Sequence, residues 1–260
     1  MAFISEFKEL GRSIISWIYF WIIGFVVFFL FGFKSVVIFH REVILPLPTI
    51  NSFSLEFLKI IQKDLLPQGV KLIVTDPLSA FLTQVFIAGF LAFIITLPIF
   101  LYKFILYLSP ALYLKEKKAL AKILVPSLVL FVGGCVFSYF LIVPLTLSIL
   151  YNYTFASGAL AFFSLNEFVK IVFCLILAVG TIFLLPIFMG FLNYLGIANR
   201  KIWLSKWRYA VLAFVIFSAI ITPDGTGVTM IILTIPMVVL YFLGASLSFR
   251  KTKKVESINK

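Results

Sequence analysis

Six apolar runs, at about residues 14–33, 78–101, 123–150, 171–195, 209–221 and 228–246, decide what this chain can fold into. About 20 apolar residues in a helix cross the ~30 Å hydrocarbon layer of a bilayer. Inside that layer a helix satisfies its backbone N–H and C=O groups within one segment. Five of the runs are long enough. Residues 209–221 make only ~20 Å of helix, so the turn after them lies below the bilayer surface or the bilayer thins there. Composition agrees: 63% of the residues are hydrophobic and 12% are charged, where a soluble domain is about half apolar and a quarter charged. The expectation is an all-α polytopic membrane protein, one domain over residues 1–260 with six transmembrane helices. Pro98, Pro126, Pro144, Pro186 and Pro236 fall within the runs. Each removes a helical hydrogen bond and bends its helix, so a bent, concave bundle is expected.

Charge sets the expected orientation. Of the 22 Lys and Arg residues, 16 lie in residues 1–13, 102–122, 199–208 and 248–260. Basic segments beside spans stay cytoplasmic, which puts both termini on that side. The same cations suit anionic membrane lipid. The net charge of +12 therefore does not argue for nucleic acid. Trp203 and Trp207 read as interfacial anchors of the 199–208 loop. The first run is too long for a signal-peptide core and lacks a small-residue cleavage site, so it reads as a retained span.

The longest loop, 34–76, is expected on the outer side. Within it Leu55, Leu58, Ile61 and Leu65 mark one face of a helix from Phe53 to Leu66, and Glu56, Lys59 and Lys63 mark another. Such a helix lies against the bundle or the membrane. Val70–Thr75 is short and extended, and Asp76-Pro77 opens the next helix.

Catalytic chemistry is hard to find. There is one His, His40, in the long loop, and no HExxH, GxSxG or P-loop motif. No catalytic residue, metal ligand set or cofactor is implied. Cys135 and Cys174 read as small packing residues inside apolar runs. Glu167 and Lys170, three apart at the start of the fourth run, read as a local ion pair.

The most sharply punctuated stretch is Leu108-Ser-Pro-Ala-Leu-Tyr-Leu-Lys-Glu-Lys-Lys118. Its one acid, Glu116, stands among Lys115, Lys117, Lys118 and Lys122. Such a carboxylate is either neutralised by its neighbours or reads a cationic partner. With Pro98-Ile-Phe-Leu-Tyr102 before it, this stretch resembles the TatC family, the multi-spanning receptor of twin-arginine protein translocation. Thr75-Asp-Pro-Leu78, Gly133 to Tyr139 with Pro144, Phe183-Leu-Leu-Pro186, Ile221-Thr-Pro-Asp224, Ile235-Pro236 and Leu240-Tyr241 extend the resemblance along the whole chain, in order.

The resemblance implies a receptor that binds the twin-arginine signal peptides of folded cargo at the cytoplasmic face. It implies assembly with single-span TatA/TatB-type partners, as a homo-oligomer within a larger complex, into a translocase driven by the proton-motive force. It carries the signal-peptide role to Glu116, Glu9 and Tyr107. It carries a role in translocation to Asp224 and to Pro46, or less well Pro48. Carboxylates suit this task, because guanidinium groups pair with them in bidentate geometry. The chain also departs from the family pattern. An intramembrane Glu of the fourth span, which meets the partner's helix, is here Leu184, and Thr181 one turn earlier is the nearest polar residue. The usual Glu-Leu-Arg is Glu9-Leu-Gly-Arg12, and a Glu common after Leu-Tyr is Phe242. Two other readings stay open, a small-molecule permease and an intramembrane enzyme. The first needs a polar path through the bundle and the second a nucleophile or metal set.

Overall fold

The apolar runs fold as helices, but the first does so only as far as Leu30. The structure, a computed structural model, describes residues 2–38, 41–48, 52–66, 70–74, 76–107, 117–156, 158, 162–194, 198–222 and 227–247. They divide between two units, Met1–Leu124 with Ala161–Lys170 and Val125–Leu160 with Ile171–Lys260.

In the first unit α1 (Ala2–Leu30) packs along α3 (Pro77–Tyr107). The pairing is antiparallel, since contacts run from Phe29 with Phe81 at one end to Trp17 with Phe100 further along. Small residues let the helices close up. A Cβ on Gly24 would lie 3.4 Å from that of Ala92, and Trp21 Nε1 donates to the Gly89 carbonyl at 3.2 Å. Beyond Leu30 the chain leaves the helix for a hairpin, β1 (Phe31–Ile38) against β2 (Arg41–Pro48), with Phe31 opposite Pro48 and Ile38 opposite Arg41. Val36, Val37, Ile38, Val43 and Ile44 supply the β-branched residues that favour it. Pro46 and Pro48, two apart and opposite Phe33 and Phe31, lack an N–H, which a two-stranded ribbon tolerates on its outer edges.

Next comes α2 (Phe53–Leu65), which buries Ser54, Leu58, Ile61 and Leu65. Three of these belong to the apolar face read from the sequence. Gln84 on α3 ties the corner together. Its Nε2 donates to Ser52 Oγ at 2.8 Å and to the Phe29 carbonyl at 3.4 Å, and Ser52 and Ser54 share a 2.8 Å hydrogen bond. Short strands β3 (Lys71–Ile73) and β4 (Phe162–Ser164) pair in parallel. Lys170 lays its Nζ over the Phe86 ring, 5.5 Å from its centroid, instead of pairing with Glu167.

The second unit takes in α4 (Lys117–Phe137) from Val125 onward, and α4 passes through a π turn, Ser138–Ile142, into α5 (Val143–Ala156). Val143 N–H donates to the Ser138 carbonyl, five residues back. Pro144 has no N–H to give the carbonyl of Phe140, and its ring would crowd that carbonyl, so a wider turn relieves the clash. After α6 (Leu165–Phe183) and a turn at Leu184 come α7 (Leu185–Tyr194), α8 (Arg200–Ser205), α9 (Trp207–Ile221) and α10 (Val228–Leu247). Close crossings again rest on glycine. A Cβ on Gly134 would fall 2.7 Å from Phe183 Cγ and 3.0 Å from Gly180 Cα, and one on Gly244 would fall 2.9 Å from Pro186 Cα.

Among the described residues four helical stretches are long and apolar enough to cross a membrane: Pro77–Lys103, Leu124–Ala156, Leu165–Asn193 and Val228–Ser246. Ile14–Leu30 and Trp207–Ile221 are apolar but shorter. Between 28% and 44% of an 18-residue apolar segment in each is buried, which leaves exposed Phe, Leu, Ile and Val for lipid. This is a mostly helical membrane protein. The hairpin and the short β3–β4 pair correct the all-α expectation.

Candidate functional site

Antiparallel packing of α1 on α3 fixes one end of the first unit. Trp17 meets Phe93 and Phe100, at centroid distances of 6.0 and 5.0 Å. One helical position earlier Ser16 Oγ accepts from Lys103 Nζ. Lys103 also lies over the Phe20 ring, 5.8 Å from its centroid. Glu9 belongs to α1 and is two turns before Ser16. Tyr107 is the last residue of α3, one turn beyond Lys103. The two therefore occupy the same end of the helix pair. Tyr19 and Tyr102, both largely exposed, flank Ser16 and Lys103, as rings do at a membrane–water boundary. Glu116, which directly precedes α4, lies outside the described residues, as does Asp224 between α9 and α10. Pro46 lies on β2, opposite Phe33, far along the chain from the Glu9 end of α1.

The fourth apolar run bends where Leu184 and Thr181 stand. Leu184 N–H donates to the Thr181 carbonyl at 3.1 Å, a three-residue step. Ile187 and Phe188 then donate to the Leu184 carbonyl at 3.1 and 3.0 Å. Pro186 has no N–H, so the regular ladder breaks and this tighter turn bridges it. Thr181 is exposed, and its hydroxyl donates to the Leu177 carbonyl at 2.7 Å. Its proton is thus turned back onto its own helix. Leu184 is half-buried. The pair forms an apolar step whose one hydroxyl can only accept.

A buried polar cluster joins α9 to α10, and sequence reasoning missed it. Ser218, fully buried, accepts from Thr234 Oγ1 at 3.0 Å and donates to Met237 Sδ at 3.5 Å. Thr222 Oγ1 donates to the Ser218 carbonyl at 2.8 Å. Beside it an apolar groove of about 270 Å³ runs between Val215 and Ile231. Lys103 with Ser16 and Gln84 with Ser52 also went unassigned. The available signals were an amide inside an apolar run and a cation two residues past that run's end, either of which in lipid needs a partner. Among the described residues no group of three His, Cys, Asp or Glu is placed to hold a metal ion. What these places can do is bind helices and charged ligands.

Known proteins share this fold. The family model for Sec-independent protein translocase protein (TatC) matches residues 5–236. Sec-independent protein translocase protein TatC of Cenarchaeum symbiosum (strain A) is 38% identical over 193 residues, 74% of this chain and 73% of that protein. The chloroplastic protein TATC of Pisum sativum is 33% identical over 195 residues, 75% of this chain but 55% of its own length. A crystal structure titled twin arginine translocase receptor TatC in DDM superposes with a TM-score of 0.77 at 27% identity, over 94% of this chain and 100% of that one. An ordered match along the sequence and a shared fold over nearly all of it lead to one conclusion: the chain belongs to the TatC family of Sec-independent protein translocase proteins.

Proposed function

We propose that the protein is the receptor and core subunit of a twin-arginine translocase. It binds the twin-arginine signal peptides of folded proteins at the cytoplasmic face of the cell membrane. It then assembles with TatA/TatB-type single-span partners for export driven by the proton-motive force. The observation that carries this reading is the likeness, over 94% of the chain, to a solved twin arginine translocase receptor. In the proposed topology six helices cross the membrane and both termini are cytoplasmic.

Glu116 is the proposed reader of the arginine pair, with Glu9 and Tyr107 beside it. Supporting this, Glu9 and Tyr107 share one end of the α1–α3 pair. Lysines around Glu116 repel a merely basic peptide, so binding favours a ligand whose geometry suits the carboxylate. Thr181 and Leu184 are proposed to meet a partner's helix, and Asp224 and Pro46 to serve translocation.

Photocrosslinking from position 107 to a signal peptide tests the reading. A twin-Arg peptide, its Lys-Lys version and the Glu116→Ala variant are compared. Hydrogen bonds to charged groups contribute about 1.5–3 kcal/mol each, so Glu116→Ala should weaken capture of the twin-Arg peptide by about 10–100-fold. Equal crosslinking of all peptides to both proteins would remove the receptor role and reopen the permease reading.

A further inference from the structure

The elbow between α8 and α9 has a surface of its own. Arg200, Lys201, Lys206 and Arg208 bring four cations into nine residues, and no Asp or Glu occurs anywhere from 195 to 222. Lys201, Lys206 and Arg208 are exposed. So are Trp207 at 41% and Tyr209 at 73%, and Ile202 and Leu204 before them. Arg208 lies over the Trp207 ring, 5.7 Å from its centroid. The inner side of the elbow is fixed. Tyr241 Oη donates to the Trp203 carbonyl at 2.7 Å, and the Trp203 ring meets Tyr241 edge-on at 6.1 Å.

Depth comes from helix length. The 15 residues of α9 rise ~22 Å, well short of the ~30 Å hydrocarbon layer. A short span draws its polar flank inward. The elbow is that flank, so Trp207, Arg208 and Tyr209 come to the head-group layer, where amphipathic rings collect. A carboxylate-free cluster of cations at that depth cannot read a guanidinium. Its complement is an anion, and the abundant anion there is lipid phosphate.

We infer that the α8–α9 elbow, from Lys201 to Tyr209, binds the phosphate head groups of anionic phospholipids in the leaflet it meets. This rests on the proposed crossing of α9, not on signal-peptide binding. Each cation near an anionic surface strengthens attraction about fivefold.

The test uses the full chain in micelles doped with equal phosphatidylglycerol and phosphatidylcholine, with retained lipid counted by native mass spectrometry. The wild type should retain phosphatidylglycerol in preference. The Lys201→Gln/Lys206→Gln/Arg208→Gln triple should lose about a hundredfold of that preference. A matched triple in the tail, Lys251→Gln/Lys253→Gln/Lys254→Gln, should keep it. No preference in the wild type overturns the proposal, as does full retention by the elbow triple or an equal loss in the tail triple. Displacement by excess inorganic phosphate would make the ligand a free anion and overturn the lipid assignment. Should the elbow triple unfold, the three single variants are measured, each expected to lose about fivefold, and retention at wild-type level by all three overturns the proposal.

Discussion

Gly133 and Gly134 are neighbours in sequence with opposite surroundings. A Cβ at Gly133 would meet nothing within 4 Å, while one at Gly134 would enter Phe183 at 2.7 and 2.8 Å and approach the Gly180 backbone at 3.0 Å. Backbone cannot yield as a side-chain tip can, so Gly134→Ala should destabilise by about 1–3 kcal/mol. Gly133→Ala should be neutral or stabilise by up to about 1 kcal/mol, through helix propensity. Thermal unfolding in detergent separates them, and equal melting temperatures would show that the crossing is not tight. Gln84 makes a second case. Gln84→Leu removes the donor that Ser52 Oγ and the Phe29 carbonyl share, and should cost about 1 kcal/mol in the same assay. Both sites show what sequence reveals at this scale. It shows that a Gly-Gly pair or an amide is in an apolar run, but not which neighbour faces it, because that depends on a second helix distant in the chain.

Elements were legible where a local rule governs them. The period of α2 gave its buried face, and Asp76-Pro77 gave the start of α3. The hairpin was not legible. Apolar residues continue past Leu30 through Phe33 without a break, and Pro46 and Pro48 read as loop residues. Pairing of Phe31 with Pro48 is a tertiary event that strand propensity alone does not specify. The helical ladder is interrupted near Pro144 and Pro186, while Pro98, Pro126 and Pro236 lie inside continuous helices, and the π turn ahead of Pro144 and the three-residue step at Leu184 are backbone answers a residue type does not dictate. Of the candidate site, the identities of Glu9, Tyr107 and Glu116 came from a resemblance, and the shared end of Glu9 and Tyr107 came from the packing of α1 on α3. The bend at Leu184 also carries a prediction. That face offers an apolar residue and a back-bonded Thr181, so an apolar partner helix suits it. Leu184→Glu should lower crosslinking of a TatA/TatB-type partner to this face by about tenfold or more, since a carboxylate in lipid without a polar partner costs about 2.5–3.5 kcal/mol. Increased crosslinking would mean that the partner brings a polar group of its own.

For the whole molecule the open quantity is the number of crossings, and two short helices hold the answer. Ile14–Leu30 rises ~26 Å and Trp207–Ile221 ~22 Å, both under the ~30 Å hydrocarbon layer. Tilt cannot help a short helix, but local thinning and flanking cations can, at fractions of a kcal/mol per Å. Lys206 and Arg208 provide such a flank for α9. The two counts place the termini differently. If all six helices cross, both termini lie on the side opposite the 31–48 hairpin. If α1 and α9 stay in one leaflet, four crossings return both termini to the hairpin's side. Single cysteines at Ser5, Ser35 and Ser257, in a background of Cys135→Ala and Cys174→Ala, distinguish them with a membrane-impermeant maleimide. Six crossings predict that Ser35→Cys labels in right-side-out vesicles, and that Ser5→Cys and Ser257→Cys label only in inverted ones. Labelling of all three from one side would reduce the count to four. It would also move Glu9 to the hairpin's side while leaving Tyr107 on the other, which the packing of Trp17 on Phe100 forbids unless α1 re-docks. The antiparallel α1–α3 pair therefore argues that α1 crosses with α3, since α3 is long enough to cross and α1 packs along it from Phe29 to Trp17, and the Ser257→Cys label then decides whether α9 crosses as well.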